Sequence, residues 1–531
     1  MTSKQKSIVG GMTILSIVGI VCKIVGALYR IPLQWLIGDE GMGTYQLIFP
    51  SYNMLLTISS AGLPVAISRM VSYSLAQDNP GNARRIFRIA LSFLSAVGCV
   101  AMIFMIAFSP ALARRTGDIT TQPGFVAIAP SLLLVCTMSA FRGFMQGQQN
   151  MVPTAISQLI EQVGKVFVAL PLAWLGMRTS IAYAVAGMFL GTSIAEAAAL
   201  LYMFVVYRKK KADFDLRLQD ETQDLSDNKA LAKQLFSLSI PITIGACIVP
   251  LASFIDSGLL LNRLILAGFE LDNARALYGR YGNVLSLINI PTGLATAIAM
   301  SLVPSISTAM ARGDGQAMRH QSALGLKLSL VIGLPCSLGM SMLSKQLLSM
   351  VYKFNTPDAL NVAAQLLSIS SFTIVLFTVV QSTTGILQGL RKQRIPMYTL
   401  VAGVAVKIFL NYTLIAMPQI NIFGAPIASL ACYTISMVPN LYFVYKYTKM
   451  KFDFMNTLAK PLLSTVLMGV VLYLFIKLLP SGRLWTLILV FIGMISYFGF
   501  ALLTGALSRD DIQPLLRRIN RKKLKRTKEG K

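Results

Sequence analysis

About fourteen apolar runs, each roughly 20 residues or longer, follow one another along this chain with only short polar breaks. They fall near 8–30, 43–66, 87–109, 125–145, 153–176, 181–206, 235–261, 280–307, 323–344, 359–388, 396–417, 424–445, 459–479 and 484–507. Within hydrocarbon every backbone N–H and C=O must find its partner inside the segment or inside a closed barrel. Barrel strands would be short and alternating, whereas these runs are long and continuously apolar. The chain is therefore expected to be an all-α integral membrane protein. Only 13% of its residues are charged, about half the share of a soluble domain. That is too little to solvate a globular surface.

The net charge of +27 does not imply nucleic acid. Its basic residues lie in short loops and a terminal tail, not on one folded face. They follow the rule that cytoplasmic flanks are positive. Arg84, Arg85 and Arg88, the run Arg208 to Lys211, and Arg391, Lys392 and Arg394 all fall on one side, with the tail from Arg509. This places both termini in the cytoplasm and the chain in the inner (plasma) membrane. The six cysteines all fall within apolar stretches and the single histidine, His320, beside a basic loop, so no metal site is expected. The first apolar run lacks a small-residue cleavage site and reads as a retained span.

The longest polar segment separates spans 6 and 7. It divides the chain into a six-helix lobe (1–207), a cytoplasmic connector (208–234), a second six-helix lobe (235–450), two further spans (451–508) and a basic cytoplasmic tail (509–531). The lobes resemble each other. Gly143-Phe-Met-Gln146-Gly147 returns as Gly385-Ile-Leu-Gln388-Gly389, and Lys165-Val-Phe167 as Lys407-Ile-Phe409, at an offset of 242 residues. Both halves start on the same side, which implies a pseudo-twofold axis along the membrane normal and a substrate site between the halves.

Ionisable side chains inside the spans carry the functional signal. Lys23, Arg30, Glu161, Lys165, Glu196, Asp256 and Lys407 would each cost roughly 2.5–3.5 kcal/mol at the centre of a lipid-facing helix. They should face one another or a wet cavity, which points to a transporter. Glu161 and Lys165 share a helix face and form an expected charge pair. Lys23 and Arg30 have no acidic residue three or four positions away, and are expected to bind an anion in a cavity. Asp256, Lys407 and Glu196 are candidates for coupling to a proton or sodium, or for static pairs. Gly62, Pro64 and Pro291 are expected hinges, and Pro50, Pro130, Pro241 and Pro250 expected kinks. No enzyme is expected: the outer loops are short, and no glycine-rich phosphate loop ending in Gly-Lys-Ser or Gly-Lys-Thr is present.

The segments Lys23-Ile-Val-Gly26-Ala-Leu-Tyr-Arg30-Ile-Pro32, Gly38-Asp-Glu-Gly41-Met-Gly43-Thr-Tyr-Gln46 and Gly62-Leu-Pro64-Val-Ala-Ile-Ser68 resemble the start of the polysaccharide-biosynthesis and stage V sporulation protein B family. Arg142 to Gln162 and Ser301 to Ser307 are similar to it as well. The likeness extends over essentially the whole chain. It implies the multidrug/oligosaccharidyl-lipid/polysaccharide exporter superfamily, close to the lipid II flippases. It further implies two lobes around a cationic cavity lined by spans 1, 2, 7 and 8, with spans 13 and 14 holding a polyprenyl tail. The implied cargo is a pyrophosphate-linked sugar meeting Lys23 and Arg30, with Arg142 and Arg280 as further substrate contacts. Asp256 resembles an acidic span 7 position associated with cation coupling. No cofactor is implied beyond membrane potential, proton or sodium. The expected partners are a lipid-linked oligosaccharide and membrane lipids, with no nucleic acid and a functional monomer. The alternative within the superfamily is a cation-coupled multidrug antiporter.

Overall fold

The computed structural model describes residues 3–216, 227–450, 453–480 and 482–507, with side chains except those of 3–17, 20, 23, 24, 27 and 210–216. The expected basic tail and most of the connector lie outside the described residues. Among those described there is no strand.

The helices are α1 (Ser3–Ser60), α2 (Leu63–Ala76), α3 (Pro80–Ala107), α4 (Ser109–Thr116), α5 (Gln122–Gly147), α6 (Val152–Gly164), α7 (Leu170–Met177), α8 (Ile181–Leu216) and α9 (Asn228–Leu266). They continue with α10 (Leu271–Ala311), α11 (Gly315–Met342), α12 (Ser344–Val351), α13 (Pro357–Gly389), α14 (Arg394–Leu414), α15 (Gly424–Thr448), α16 (Lys460–Leu478) and α17 (Arg483–Leu503). One straight helix of the length of α1 would reach roughly 87 Å at 1.5 Å per residue, far beyond a hydrocarbon core of about 30 Å. The chain breaks it at Gly38, whose φ of 67° is open to glycine and costly for side chains. Among the described residues, thirteen helical stretches are long and apolar enough to cross a membrane, the first joining Leu28 to Ala76.

The prolines do less than their positions suggest. α1, α5, α9 and α10 run on through Pro50, Pro130, Pro241, Pro250 and Pro291. The helix breaks instead at Ala61–Gly62, and Pro64 sits in the first turn of α2, where its missing N–H costs nothing. A π-turn, Lys165–Ala169, lies between α6 and α7.

Contacts group the chain into two compact units. The first is Met1–Ser286 with Ile408–Gly424, so it runs past the connector to include α9 and the start of α10. The second is Leu287–Lys407 with Ala425–Lys531. In the first, α5 is the central helix, packed on α3 and α8 through fully buried Phe87, Phe125 and Phe189. In the second, α11 packs on α13 and α16, and Tyr497 of α17 donates to the Val331 carbonyl at 2.7 Å.

The repeated glycine motif makes the same contact in each unit. A Cβ on Gly143 would run into the Pro64 carbonyl, and one on Gly147 into Val71 and the Ser68 carbonyl. In the second unit Gly385 meets the Ala299 carbonyl, and Gly389 meets Ile306 and the Val303 carbonyl. Ser72 donates to the Gly147 carbonyl at 2.8 Å, and Ser307 to that of Gly389 at 3.1 Å. Small residues let helix backbones touch in lipid, where close packing replaces the hydrophobic drive.

Candidate functional site

The charged clusters around Arg30 and Glu161 lie within the first unit. At the Gly38 end, the turn of α1 packs directly on the start of α10. A Cβ on Gly43 would strike the Arg275 carbonyl, and one on Gly279 that of Asp39. This approach lets short side chains bridge the helices. Asp39 accepts from Arg280 at 3.1 Å, from Gln34 at 3.1 Å and from Asn283 at 3.2 Å. Arg275, 9% exposed, meets Glu40 at 2.8 Å, Asp118 at 2.7 Å and Asp272 at 3.3 Å. Asp118 is fully buried in the loop between α4 and α5, where it also caps the Thr120 N–H at 2.9 Å. Arg115 of α4 lies 3.6 Å from the Phe254 ring centroid and donates to the Phe254 carbonyl at 2.6 Å; burial pushes its guanidinium below its ordinary range.

Arg30 differs from its neighbours. It donates to Ser286 at 2.6 Å and to Tyr45 at 3.3 Å, and its guanidinium lies 5.3 Å from the Tyr45 ring centroid. Its partners are neutral. Arg275 and Arg280, by contrast, are matched by carboxylates. Among the described residues, Arg30 and Arg115 are the arginines at this end whose hydrogen bonds go to neutral groups.

A second polar cluster lies deeper in the unit. The i,i+4 spacing predicts a Glu161–Lys165 pair, and here the structure corrects the sequence. Glu161 binds Arg142 of α5 at 2.8 Å, and Arg142 also donates to Ser157 at 3.0 Å. The π-turn that begins at Lys165 breaks the regular register on which the pairing depends, and the arginine of α5 takes the carboxylate instead. Glu196, on α8, is 4% exposed and accepts from Tyr52 at 3.4 Å.

Lys23 lies on α1 between Cys22 and Ile24, and its side chain is outside those described. Asp256 accepts from Asn411 at 2.8 Å; Lys407 precedes Asn411 by one turn on α14. The Gly62 N–H donates to Thr243 of α9 at 3.1 Å, and a Cβ there would strike the Ser239 carbonyl. The break in the helix is thus held tightly against α9. Pro291 lies within continuous helix. Of the predicted residues, the fold unites Arg30 with Arg280 in the Gly38-end cluster, and Arg142 with Glu161. The sequence reading missed Asp39, Glu40, Asp118, Arg275, Asn283 and Ser286. The Gly38-Asp-Glu-Gly41 run was the available signal for the first two.

Long apolar helices, charges buried between them and glycine-mediated close packing define a multi-pass membrane transporter. A family profile described as polysaccharide biosynthesis protein matches residues 8–310, and the MatE profile matches residues 279–413. The chain belongs to the polysaccharide biosynthesis protein family. It is 27% identical to stage V sporulation protein B of Bacillus subtilis over 80% of this chain and 81% of that protein. It is 26% identical to lipid II flippase MurJ of the same organism over 81% and 80%. A solved lipid II flippase MurJ in an inward closed conformation shares its fold, with a TM-score of 0.70 at 13% identity over 93% of this chain and 99% of that one. The chain is thus a multi-pass membrane protein of that family with the fold of the solved flippase.

Proposed function

We propose that this protein is a flippase that carries a polyprenyl-pyrophosphate-linked saccharide, lipid II or a related cell-wall or polysaccharide precursor, from the inner to the outer leaflet. It works in the plasma membrane as a monomer with both termini cytoplasmic. The observation that carries this reading is Arg30, a guanidinium on the first span held only by hydroxyls beside arginines already matched by carboxylates. Its positive charge is open to an anionic headgroup, and Lys23 lies two turns along the same arm of α1. Similarity to flippases supports the same cargo class.

The physical task suits these parts. A sugar pyrophosphate leaving water unaided faces a prohibitive desolvation cost. Fixed cations in a wet cavity replace its lost hydration, while the polyprenyl chain remains in lipid. Loop charges assign the Gly38 end to the outside, so the Asp39–Arg280 and Arg275 contacts form an outer clamp that opens for release. Membrane potential, negative inside, favours outward movement of an anion by roughly 2.3 kcal/mol per charge per 100 mV. Asp256, Lys407 and Glu196 are each candidates for coupling to a proton or sodium gradient.

Thermal-shift titration of the purified protein separates this reading from a multidrug antiporter. Undecaprenyl pyrophosphate should stabilise the wild type, and Arg30→Ala should lose most of that shift. Stabilisation by a lipophilic cation with no response to the pyrophosphate would overturn the proposal.

A further inference from the structure

Glu196 is buried deep in the first unit with half of its carboxylate unanswered. Oε1 accepts from Tyr52 at 3.4 Å, a long and weak bond, while Oε2 is buried and has no hydrogen-bond partner. Among the described residues no Lys or Arg forms an ion pair with it. Arg142 is engaged with Glu161 and Ser157. Lys165 lies within electrostatic reach of Glu196 yet makes no ion pair or hydrogen bond among the described residues.

The groups around Glu196 can be named helix by helix. α1 brings Tyr52, α6 brings Glu161 and the π-turn brings Lys165, with Cys136 of α5 beside Tyr52 and Cys22 and Arg142 beside Glu161. α7 brings no titratable side chain. Ser131 of α5 is bonded to Ser193 at 2.9 Å. The backbones of the two helices that carry Lys165 and Glu196 are in contact: a Cβ on Gly164 would lie 2.5 Å from Cβ of Ala195. Lys165 follows Gly164 and Glu196 follows Ala195, so side-chain rotation from the π-turn suffices to bring the ammonium to the carboxylate.

An ionised carboxylate buried in this way is costly unless its charge is met. A proton can meet it, and so can Lys165. We infer that both do so in turn: Glu196 is a proton-exchange site, and its carboxylate competes with the anionic headgroup for Lys165. This inference rests on the proposed phosphate-bearing cargo. With the proton on Glu196, the acid is neutral and the Lys165 ammonium is open to a phosphate oxygen. When the proton leaves to water, the carboxylate draws Lys165 across and the headgroup loses a cation. Headgroup binding therefore takes up one proton, and release returns it. Only the O–H bond of Glu196 is made and broken.

Calorimetric titration of full-length protein in detergent with undecaprenyl pyrophosphate, in buffers of differing ionisation enthalpy at about pH 6 and pH 8, reads this linkage directly. Wild type should take up more protons per probe than Glu196→Gln, with the excess approaching about one at pH 8 and smaller at pH 6, and its affinity should fall several-fold more between the two pH values. Titration of the probe itself cancels in that comparison. Glu196→Gln should bind tightly at both pH values. If that variant does not fold, Lys165→Met takes its place and should bind weakly without the extra proton. Equal proton uptake and equal pH profiles in wild type and the tested variant would overturn the exchange site while leaving the flippase reading intact. Absence of probe binding at either pH would overturn both.

Discussion

Asp39 accepts a hydrogen bond from Arg280 at 3.1 Å across 241 residues of sequence, while its other oxygen accepts from Gln34 and Asn283. One carboxylate, placed immediately after the Gly38 turn, thereby ties both arms of α1 to the start of α10. A group that joins three segments at one end of a transporter is well placed to hold that end shut.

Asp39→Ala should loosen this end. Ser286 is 5% exposed beneath Arg30, so Ser286→Cys in a background without the native cysteines should react slowly with a water-soluble maleimide. Adding Asp39→Ala should raise its labelling rate several-fold. An unchanged rate would mean that the close packing around Gly43 and Gly279 holds the helices without the carboxylate.

Glu161→Gln and Lys165→Met should differ in stability. Removing the Glu161 charge leaves the Arg142 guanidinium, 14% exposed, without its partner, a loss of roughly 3–5 kcal/mol for a buried pair. Its melting temperature in detergent should fall clearly. Lys165 makes no ion pair among the described residues, so Lys165→Met should melt near the wild type. Equal losses would restore the pairing expected from helical spacing.

Gly143→Leu and Gly385→Leu should both damage the fold through the same defect. Each new side chain would be driven into a carbonyl, Pro64 in one unit and Ala299 in the other, and neither backbone can yield without separating two helices. Both variants should show reduced membrane levels or a lowered melting temperature. Gly245→Leu is the control, because nothing lies within 4 Å of its Cβ position.

Much of the fold was legible because lipid imposes length and polarity on each span. The succession of long membrane helices, the break before span 2 and the repeated glycine contacts follow from patterns along the chain. The site was legible where a single residue signals its own cost, as with Arg30 and Glu196 in apolar runs. It was not legible where pairing depends on tertiary placement. Arg275 and Asp118 lie at helix ends and in a loop, where charges are cheap, and only the fold shows them buried together. The Glu161–Lys165 expectation failed because spacing assumes a regular α-helix, and a π-turn begins at Lys165.

The central claim is that fixed cations on the first span carry an anionic lipid headgroup across the membrane. Proteoliposomes loaded with a fluorescent polyprenyl-pyrophosphate sugar, with leaflet exposure followed by a membrane-impermeant quencher, test it most directly. Wild type should move the lipid between leaflets, and Lys23→Ala and Arg30→Ala should each abolish movement while inserting at normal levels. Full transport by both variants, or no transport by the wild type, would contradict the account.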